Sequence, residues 1–260
     1  MTHISLYGAG LAVLIGLSTA LPARASAGCD NVDTLLSRAY PNAKPGGGGF
    51  DIKGTYLQHV ESSSVACKVW PADPSLTLMA VPLVEAAPVS TDENRGDIEI
   101  LVLDSADGQP IARRVEKEMA LSDAIQFERM TLGTARYGIR PGVRAFGLRT
   151  EQGGSSPVNP YTERALSLYT FKGGRISRVL DGLIVERNRG ENDGDCKGDS
   201  QTIRRVVSLG AAGRDGYFSG TQKYAFFVLV GRRITRANCS AAHYPMPSQG
   251  CVTGSTPFKS

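Results

Sequence analysis

The 260-residue sequence predicts an all-β fold, made mainly of antiparallel strands, with one short helix near the N-terminus. Short runs of β-branched and aromatic residues recur along the chain, and glycine-containing turn sequences separate many of them. Residues 164–187 alternate side chains with the period of two that is typical of a strand. We expect about ten strands in meander sheets, packed as a sandwich or as a small propeller-like or barrel domain.

The first 27 residues have the composition of a secretory signal peptide. An apolar stretch at 6–21 precedes Ala25-Ser26-Ala27, and these small residues predict cleavage before Gly28, with cleavage after Ala25 as a second candidate. An uncleaved membrane anchor is the alternative, because no Lys or Arg precedes the apolar stretch. Lipid attachment at Cys29 is disfavoured, since Ser26 occupies a position where a lipobox has a branched aliphatic residue.

Residues 28–260 are expected to form a single β-rich domain, with an irregular C-terminal tail at 241–260. No second apolar run approaches the roughly 20 residues that a membrane-spanning helix needs. We therefore expect an exported protein, periplasmic or secreted, without a transmembrane segment after signal cleavage.

All five cysteines follow the predicted cleavage site, and in an oxidising compartment most of them should pair. We favour the disulfides Cys29–Cys67 and Cys196–Cys239, with Cys239–Cys251 as the competitor of the second. One thiol is left over in either scheme. No C-x-x-C sequence is present, so the sequence supports neither a thioredoxin-type site nor a cysteine-rich zinc site.

The helix is expected within residues 29–40, where Val32, Leu35, Leu36 and Ala39 form an apolar stripe at helical spacing, with Asp30 or Asp33 as its cap. The four glycines at 46–49 are interpreted as a flexible connection. Strands are expected at the following positions: 55–60, 65–70, 76–83, 98–103, 110–115, 131–139, 143–150, 202–209, 217–218 and 223–233. Residues 114–130 are ambiguous between a short helix and irregular structure, and 151–160 are expected to be a loop.

Residues 164–187 are the clearest folding unit. Lys172-Gly173-Gly174 predicts a hairpin turn, and Asp181-Gly182 predicts a second turn or, alternatively, a bulge inside one long strand. The expected core residues of this meander are Leu166, Leu168, Ile176, Leu180, Leu183 and Val185.

Charge is distributed unevenly along the chain. Residues 28–130 carry 9 Lys and Arg against 16 Asp and Glu, whereas residues 131–260 carry 19 against 9. Such an asymmetry can indicate a basic binding surface, but we favour two halves that interleave in one fold and neutralise each other. A nucleic-acid partner is not expected for an exported protein.

The sequence contains few groups for catalysis. It has no G-x-S-x-G, H-E-x-x-H or Walker A motif, and only His59 and His243 follow the signal peptide. Glu163 and Glu186 flank the meander and would suit an acid/base pair only if they meet across the strands.

An acidic, glycine-rich segment provides the candidate metal ligands Glu191, Asp193, Asp195 and Asp199, which suit Ca²⁺. The EF-hand register fails, since a frame that starts at Asp193 places Lys197 at its fifth position. A solvated loop held by Cys196 is the favoured interpretation.

Arginines recur through the hairpin at 131–150. Arg140, Arg144 and Arg149, together with Arg136, are candidates for binding an anionic ligand or partner, although a solvated polar face is the simpler interpretation.

The sequence therefore favours an exported, disulfide-containing β-domain of the cell envelope or exterior, which acts as a non-catalytic binding protein for a protein or an envelope polymer. A hydrolase that uses Asp or Glu, assisted by Ca²⁺, is the first alternative. A purely structural envelope protein is the second.

Overall fold

The computed structural model describes residues 28–54, 56–87, 93–192, 197–209 and 226–238. These residues form two antiparallel sheets and one short α-helix, so the predicted all-β class is confirmed. The elements in chain order are α1 (Val32–Ala39), β1 (Lys44–Gly46), β2 (Gly49–Lys53), β3 (Leu57–Glu61), β4 (Ala66–Val69), β5 (Leu76–Glu85), β6 (Gly96–Asp104), β7 (Pro110–Glu116), β8 (Ile125–Arg140), β9 (Val143–Gly154), β10 (Tyr161–Lys172), β11 (Arg175–Asn192), β12 (Lys197–Leu209) and β13 (Phe226–Asn238).

The two sheets follow one another along the chain. The first has the order β1–β2–β3–β5–β6–β7, with β4 paired to β5, and the second has the order β13–β12–β11–β10–β9–β8. The expected interleaving of the acidic and basic halves is therefore wrong. Because nearly all strand pairs join neighbours in sequence, the described residues of the acidic half form the first sheet and those of the basic half form most of the second.

The sheets pack face to face over an apolar cluster to which both contribute. Trp70, which directly follows β4, meets Phe146 edge to face, with 5.7 Å between ring centroids, and Phe146 stacks on Tyr169 at 5.8 Å. Such aromatic pairs add specific geometry to the burial of apolar area. The packing fixes which face of the second sheet points inward.

Helix α1 covers the other face of the first sheet. Leu35, Leu36 and Ala39 are buried there against a cluster that includes Met79 and Leu101, which confirms the predicted apolar stripe.

The cap of α1 differs from the expectation. Asn31 is the N-cap, and its side chain accepts a hydrogen bond from the backbone N–H of Thr34 at 3.0 Å. The prediction of Asp30 or Asp33 as the cap is wrong, because the helix begins at Val32, directly after Asn31. Asp33 lies inside the first turn, where its charge favours the helix dipole.

The disulfide Cys29–Cys67 is present and joins the segment before α1 to β4, with 5.6 Å between the Cα atoms. The second expected pair, Cys196–Cys239, and its competitor through Cys251 lie outside the described residues.

Three segments are more regular than expected. The glycines at 46–49 form a tight hairpin between β1 and β2 rather than a flexible connection, with Gly47 and Gly48 at φ of 56° and 80°. Residues 114–130 contain the end of β7, a turn and the start of β8, and β9 continues to Gly154, so the expected loop shortens to 155–160. In each case pairing with a neighbouring strand orders a segment whose own sequence has weak periodicity.

Strands β10 and β11 form the predicted hairpin at Gly173-Gly174. Asp181-Gly182 is a bulge inside one long strand, the alternative interpretation, and the backbone N–H of Gly182 donates to Ser167 Oγ at 3.0 Å. Of the expected core residues, Leu166, Leu168 and Ile176 are buried, whereas the three on β11 near the bulge are only partly buried.

The later part of the chain is described in part. The expected strand at 202–209 lies within β12, and the one at 223–233 corresponds to β13. The expected strand at 217–218 and the tail at 241–260 lie outside the described residues. Within the described ranges, no helix has the length and apolar character needed to span a membrane.

Replacing both Cys29 and Cys67 with Ser should lower the free energy of unfolding by about 2–4 kcal/mol, because the disulfide closes a 38-residue separation in the unfolded chain. Urea denaturation under non-reducing conditions measures this change. The matched control replaces the exposed Ser63 and Ser64 with Ala and should stay within about 0.5 kcal/mol of wild type. An equal loss in both variants would contradict a stabilising role for the disulfide.

Candidate functional site

A cleft of about 640 Å³ lies on the face of the second sheet that points away from the first sheet. Volumes of about 300–1,000 Å³ are typical of ligand pockets. Five strands, β8 to β12, contribute the lining residues Arg129, Thr131, Tyr137, Arg149, Glu151, Arg164, Leu166, Val185, Glu186, Arg204, Arg205 and Val207. The cleft is therefore built entirely within one sheet.

The path of β12 gives this face its concave shape. β12 pairs with β11 only as far as Arg204, and its remaining residues pair with β13 while the strand approaches β8. Arg205 then donates a hydrogen bond to the backbone carbonyl of Ile184 at 2.8 Å, and Val207 packs on the apolar cluster that contains Leu166. The end of β12 thus forms a wall over the centre of the sheet.

A row of alternating charges crosses the cleft. Strand pairing places Arg129 opposite Glu151, Glu151 opposite Arg164, Arg164 opposite Glu186, and Glu186 opposite Arg204. We call these five residues the ion-pair row. Cross-strand neighbours on one face are close enough for their side chains to interact directly.

Every neighbouring pair in the ion-pair row is in contact. Arg129 binds Glu151 through two nitrogens at 2.9 and 3.0 Å, and Arg164 binds the same carboxylate at 3.0 and 3.2 Å. Arg164 also binds Glu186 at 2.8 Å, and Arg204 binds Glu186 at 3.1 Å. Each glutamate is therefore held by two arginines.

These contacts lower the pKa of Glu151. The hydrogen bonds from Arg129, followed by those from Arg164 and the charges of both guanidinium groups, hold the pKa of Glu151 below its ordinary value despite the opposing effect of burial. Glu151 consequently stays ionised to a lower pH than an ordinary glutamate.

Two half-buried arginines of the cleft lie outside the ion-pair row. Arg149 donates to the hydroxyl of Tyr137 at 3.0 Å, and Arg205 donates to the carbonyl of Ile184. Within the described part of the chain, neither has a carboxylate partner. Neither arginine therefore forms an ion pair with a glutamate of the row.

A pair of glycines leaves room for the side chains in the cleft. Gly133 of β8 lies opposite Gly147 of β9. A Cβ at Gly133 would lie 2.6 Å from Nη1 of Arg149, and one at Gly147 would lie 2.9 Å from Cδ1 of Leu166. Side chains at these positions would displace Arg149 and Leu166 from where they lie.

The arginines predicted from sequence are separated by the fold. Arg149 lines the cleft, whereas Arg140 and Arg144 lie beside the turn that joins β8 to β9. Arg144 is exposed and, five residues from Arg149 on the same strand, has its side chain on the opposite face. The binding role of all three residues stays a prediction.

Glu163 and Glu186 do not meet across the strands, so the condition for an acid/base pair is not fulfilled. Glu163 lies opposite Arg187 and binds it at 2.5 Å, whereas Glu186 lies opposite Arg164 one position along the sheet. Adjacent positions on a strand point to opposite faces, so the two carboxylates are on different sides of the second sheet.

The candidate calcium ligands are described only in part. Glu191 is exposed on β11, and its backbone lies opposite Asp199 on β12, whereas Asp193 and Asp195 lie outside the described residues. No group of three or more metal-ligating side chains is found among the residues that the structure describes. The calcium site stays a prediction.

Of the two histidines that follow the predicted signal peptide, the structure describes His59. Nδ1 of His59 lies 2.8 Å from a carboxylate oxygen of Asp51, its cross-strand neighbour in the first sheet. His243 lies outside the described residues.

Comparison with protein-family models, with curated proteins and with solved structures finds no match. The chemistry of the cleft is therefore what bears on function.

Replacing Glu151 with Gln should destabilise the fold by about 1–3 kcal/mol at pH 7, because two arginines lose a charged acceptor. Since the folded-state pKa of Glu151 is depressed, its contribution is complete above the unfolded pKa of about 4.3 and is lost as the pH falls through the folded value. Urea denaturation should show the gap between wild type and variant narrowing from pH 5 toward pH 2.

The matched control for Glu151 is Glu128→Gln, which removes an exposed carboxylate from β8. Its effect on stability should be small at every pH. A destabilisation by Glu151→Gln that does not change with pH would contradict the ionic origin of its effect.

Proposed function

We propose that this protein is an exported, non-catalytic binding domain of the cell envelope or exterior, and that the cleft in its second sheet contacts a protein or an envelope polymer that carries anionic groups. The observation that carries the proposal is the lining of the cleft, which contains five arginines and two glutamates in a concave surface. Arginine binds carboxylate and phosphate groups through paired hydrogen bonds, so a partner that presents such groups complements this surface.

The state of the carboxylates favours binding over hydrolysis. A general acid that works near neutral pH needs a raised pKa, whereas the pKa of Glu151 is lowered. Glu186 is likewise held by two arginines. Both groups thus act as acceptors that orient arginines.

The proposal of export rests on two features. The sequence at 1–27 has the pattern of a signal peptide. The disulfide Cys29–Cys67 suits an oxidising compartment, where such bonds persist.

A photo-activated cross-linking residue at Thr131 should capture the partner in the compartment to which the protein is exported, because Thr131 is exposed within the cleft. The matched control places the same cross-linking residue at Ser64, which lies between β3 and β4 of the first sheet and far along the chain from the cleft residues. We expect an adduct at Thr131, little at Ser64, and a loss of the Thr131 adduct when Arg149 and Arg205 are both replaced with Gln. The measurement is the yield of cross-linked product on denaturing gels.

Two results of the cross-linking would contradict the proposed function. One is an equal yield at Ser64 and Thr131. The other is a Thr131 adduct that is absent in the wild-type background or unchanged by the loss of both arginines.

A further inference from the structure

We propose that the cleft binds an amphipathic anion, with its carboxylate, sulfate or phosphate head at Arg149 and Arg205 and its apolar chain along Leu166, Val185 and Val207. This inference rests on the proposed function, since it names the ligand class of the same cleft. The ligand would be free in solution or the exposed end of a larger envelope molecule, and both sources share this chemistry.

The positive charge of the cleft indicates that the head group of the ligand is an anion. The ion-pair row occupies both glutamates, which leaves Arg149 and Arg205 half-buried without a carboxylate among the described residues. A cation that has lost part of its hydration is costly unless an opposite charge replaces that water. A bound anion supplies such a charge.

The hydrogen-bonding groups beside Arg149 favour the same kind of ligand. The hydroxyl oxygen of Tyr137 accepts a hydrogen bond from Arg149, so its own proton remains available to donate. The guanidinium groups of Arg149 and Arg205 are donors only. A group with several acceptor oxygens and no donor matches this set.

The apolar residues that line the cleft indicate that the ligand has an apolar part. Leu166, Val185 and Val207 line the cleft and belong to an apolar cluster on the concave face, which also includes Val179 and Leu180. A wall of this kind offers no partner to a second charged group. Burying an alkyl or acyl chain against it is favourable at about 25 cal/mol per Å² of apolar surface.

The ion-pair row disfavours a long polyanion as the ligand. Its charges alternate, so a ligand with a continuous line of negative groups would meet the carboxylates of Glu151 and Glu186. Like charges directly opposite one another are destabilising. One anionic head with an apolar chain avoids both glutamates.

Titration calorimetry on the full protein tests the ligand class with defined probes below their micelle concentrations. Decanoate and decyl phosphate combine a head with a chain, 1-decanol has the chain alone, and acetate and inorganic phosphate have the head alone. We expect decanoate or decyl phosphate to bind at least about tenfold more tightly than any of the other three, because each of those lacks one of the two interactions.

Variants locate the head group. Arg149→Gln should weaken decanoate binding by about tenfold or more, as expected for a lost hydrogen bond to a charged group. Gly133→Ala should weaken it as well, because the new Cβ would displace the Arg149 guanidinium. Arg175→Gln is the matched control: Arg175 is exposed beside the turn between β10 and β11, does not line the cleft, and its replacement should leave the affinity unchanged. Near-ultraviolet circular dichroism checks the fold of all three variants.

The outcomes separate this inference from the proposed function. Equal binding of 1-decanol and decanoate, equal binding of acetate and decanoate, or no binding of any probe would each overturn the amphipathic ligand. So would equal losses in Arg149→Gln and Arg175→Gln. If the Thr131 cross-link still depends on Arg149 and Arg205 in those cases, the cleft remains the binding surface and its ligand belongs to another anionic class.

Discussion

The register of the second sheet is the constraint on which the cleft depends. A slip of one residue between two strands would turn each side chain of one strand to the other face. Phe146 and Tyr169 would then leave the apolar cluster that contains Trp70. Charged side chains such as Arg129 and Arg149, which adjoin the buried Met130 and Leu148, would turn toward that cluster. Burying an unpaired charge in that core costs several kcal/mol, which is comparable to the free energy of unfolding of a whole domain, about 5–15 kcal/mol. The apolar face therefore fixes the register, and the register places the ion-pair row on the opposite face.

The concave shape adds a second requirement to that register. The bulge at Asp181-Gly182 and the divergence of β12 beyond Arg204 are both places where regular pairing stops. Bulges increase the local twist of a strand, and interrupted pairing allows a strand to change direction. The same departures bring Arg205 and Val207 over the face that Leu166 lines. In this sheet, regular pairing produces the alternating charges of the ion-pair row, and interrupted pairing produces the concave shape of the cleft.

Local patterns were sufficient to predict much of the fold. The helix stripe and the hairpin at Gly173-Gly174 each depend on residues close in sequence, and the structure has both. The ion-pair row could not be predicted this way. Its members come from five strands, between residues 129 and 204, and meet only once the register of four strand pairs is known. Arg149 was a candidate from its own hairpin, but its separation from Arg144 depends on which face each side chain occupies.

The division of charge between the two sheets makes the molecule an electric dipole. The acidic half of the chain contributes α1 and the first sheet, and the basic half contributes most of the second sheet, on the side that carries the cleft. A charge distribution of this kind experiences a torque near a charged boundary. Close to an anionic membrane surface or cell-wall polymer, within the roughly 8–10 Å over which physiological salt leaves charges unscreened, the second sheet would turn toward that surface. The cleft would then face that surface before any direct contact forms.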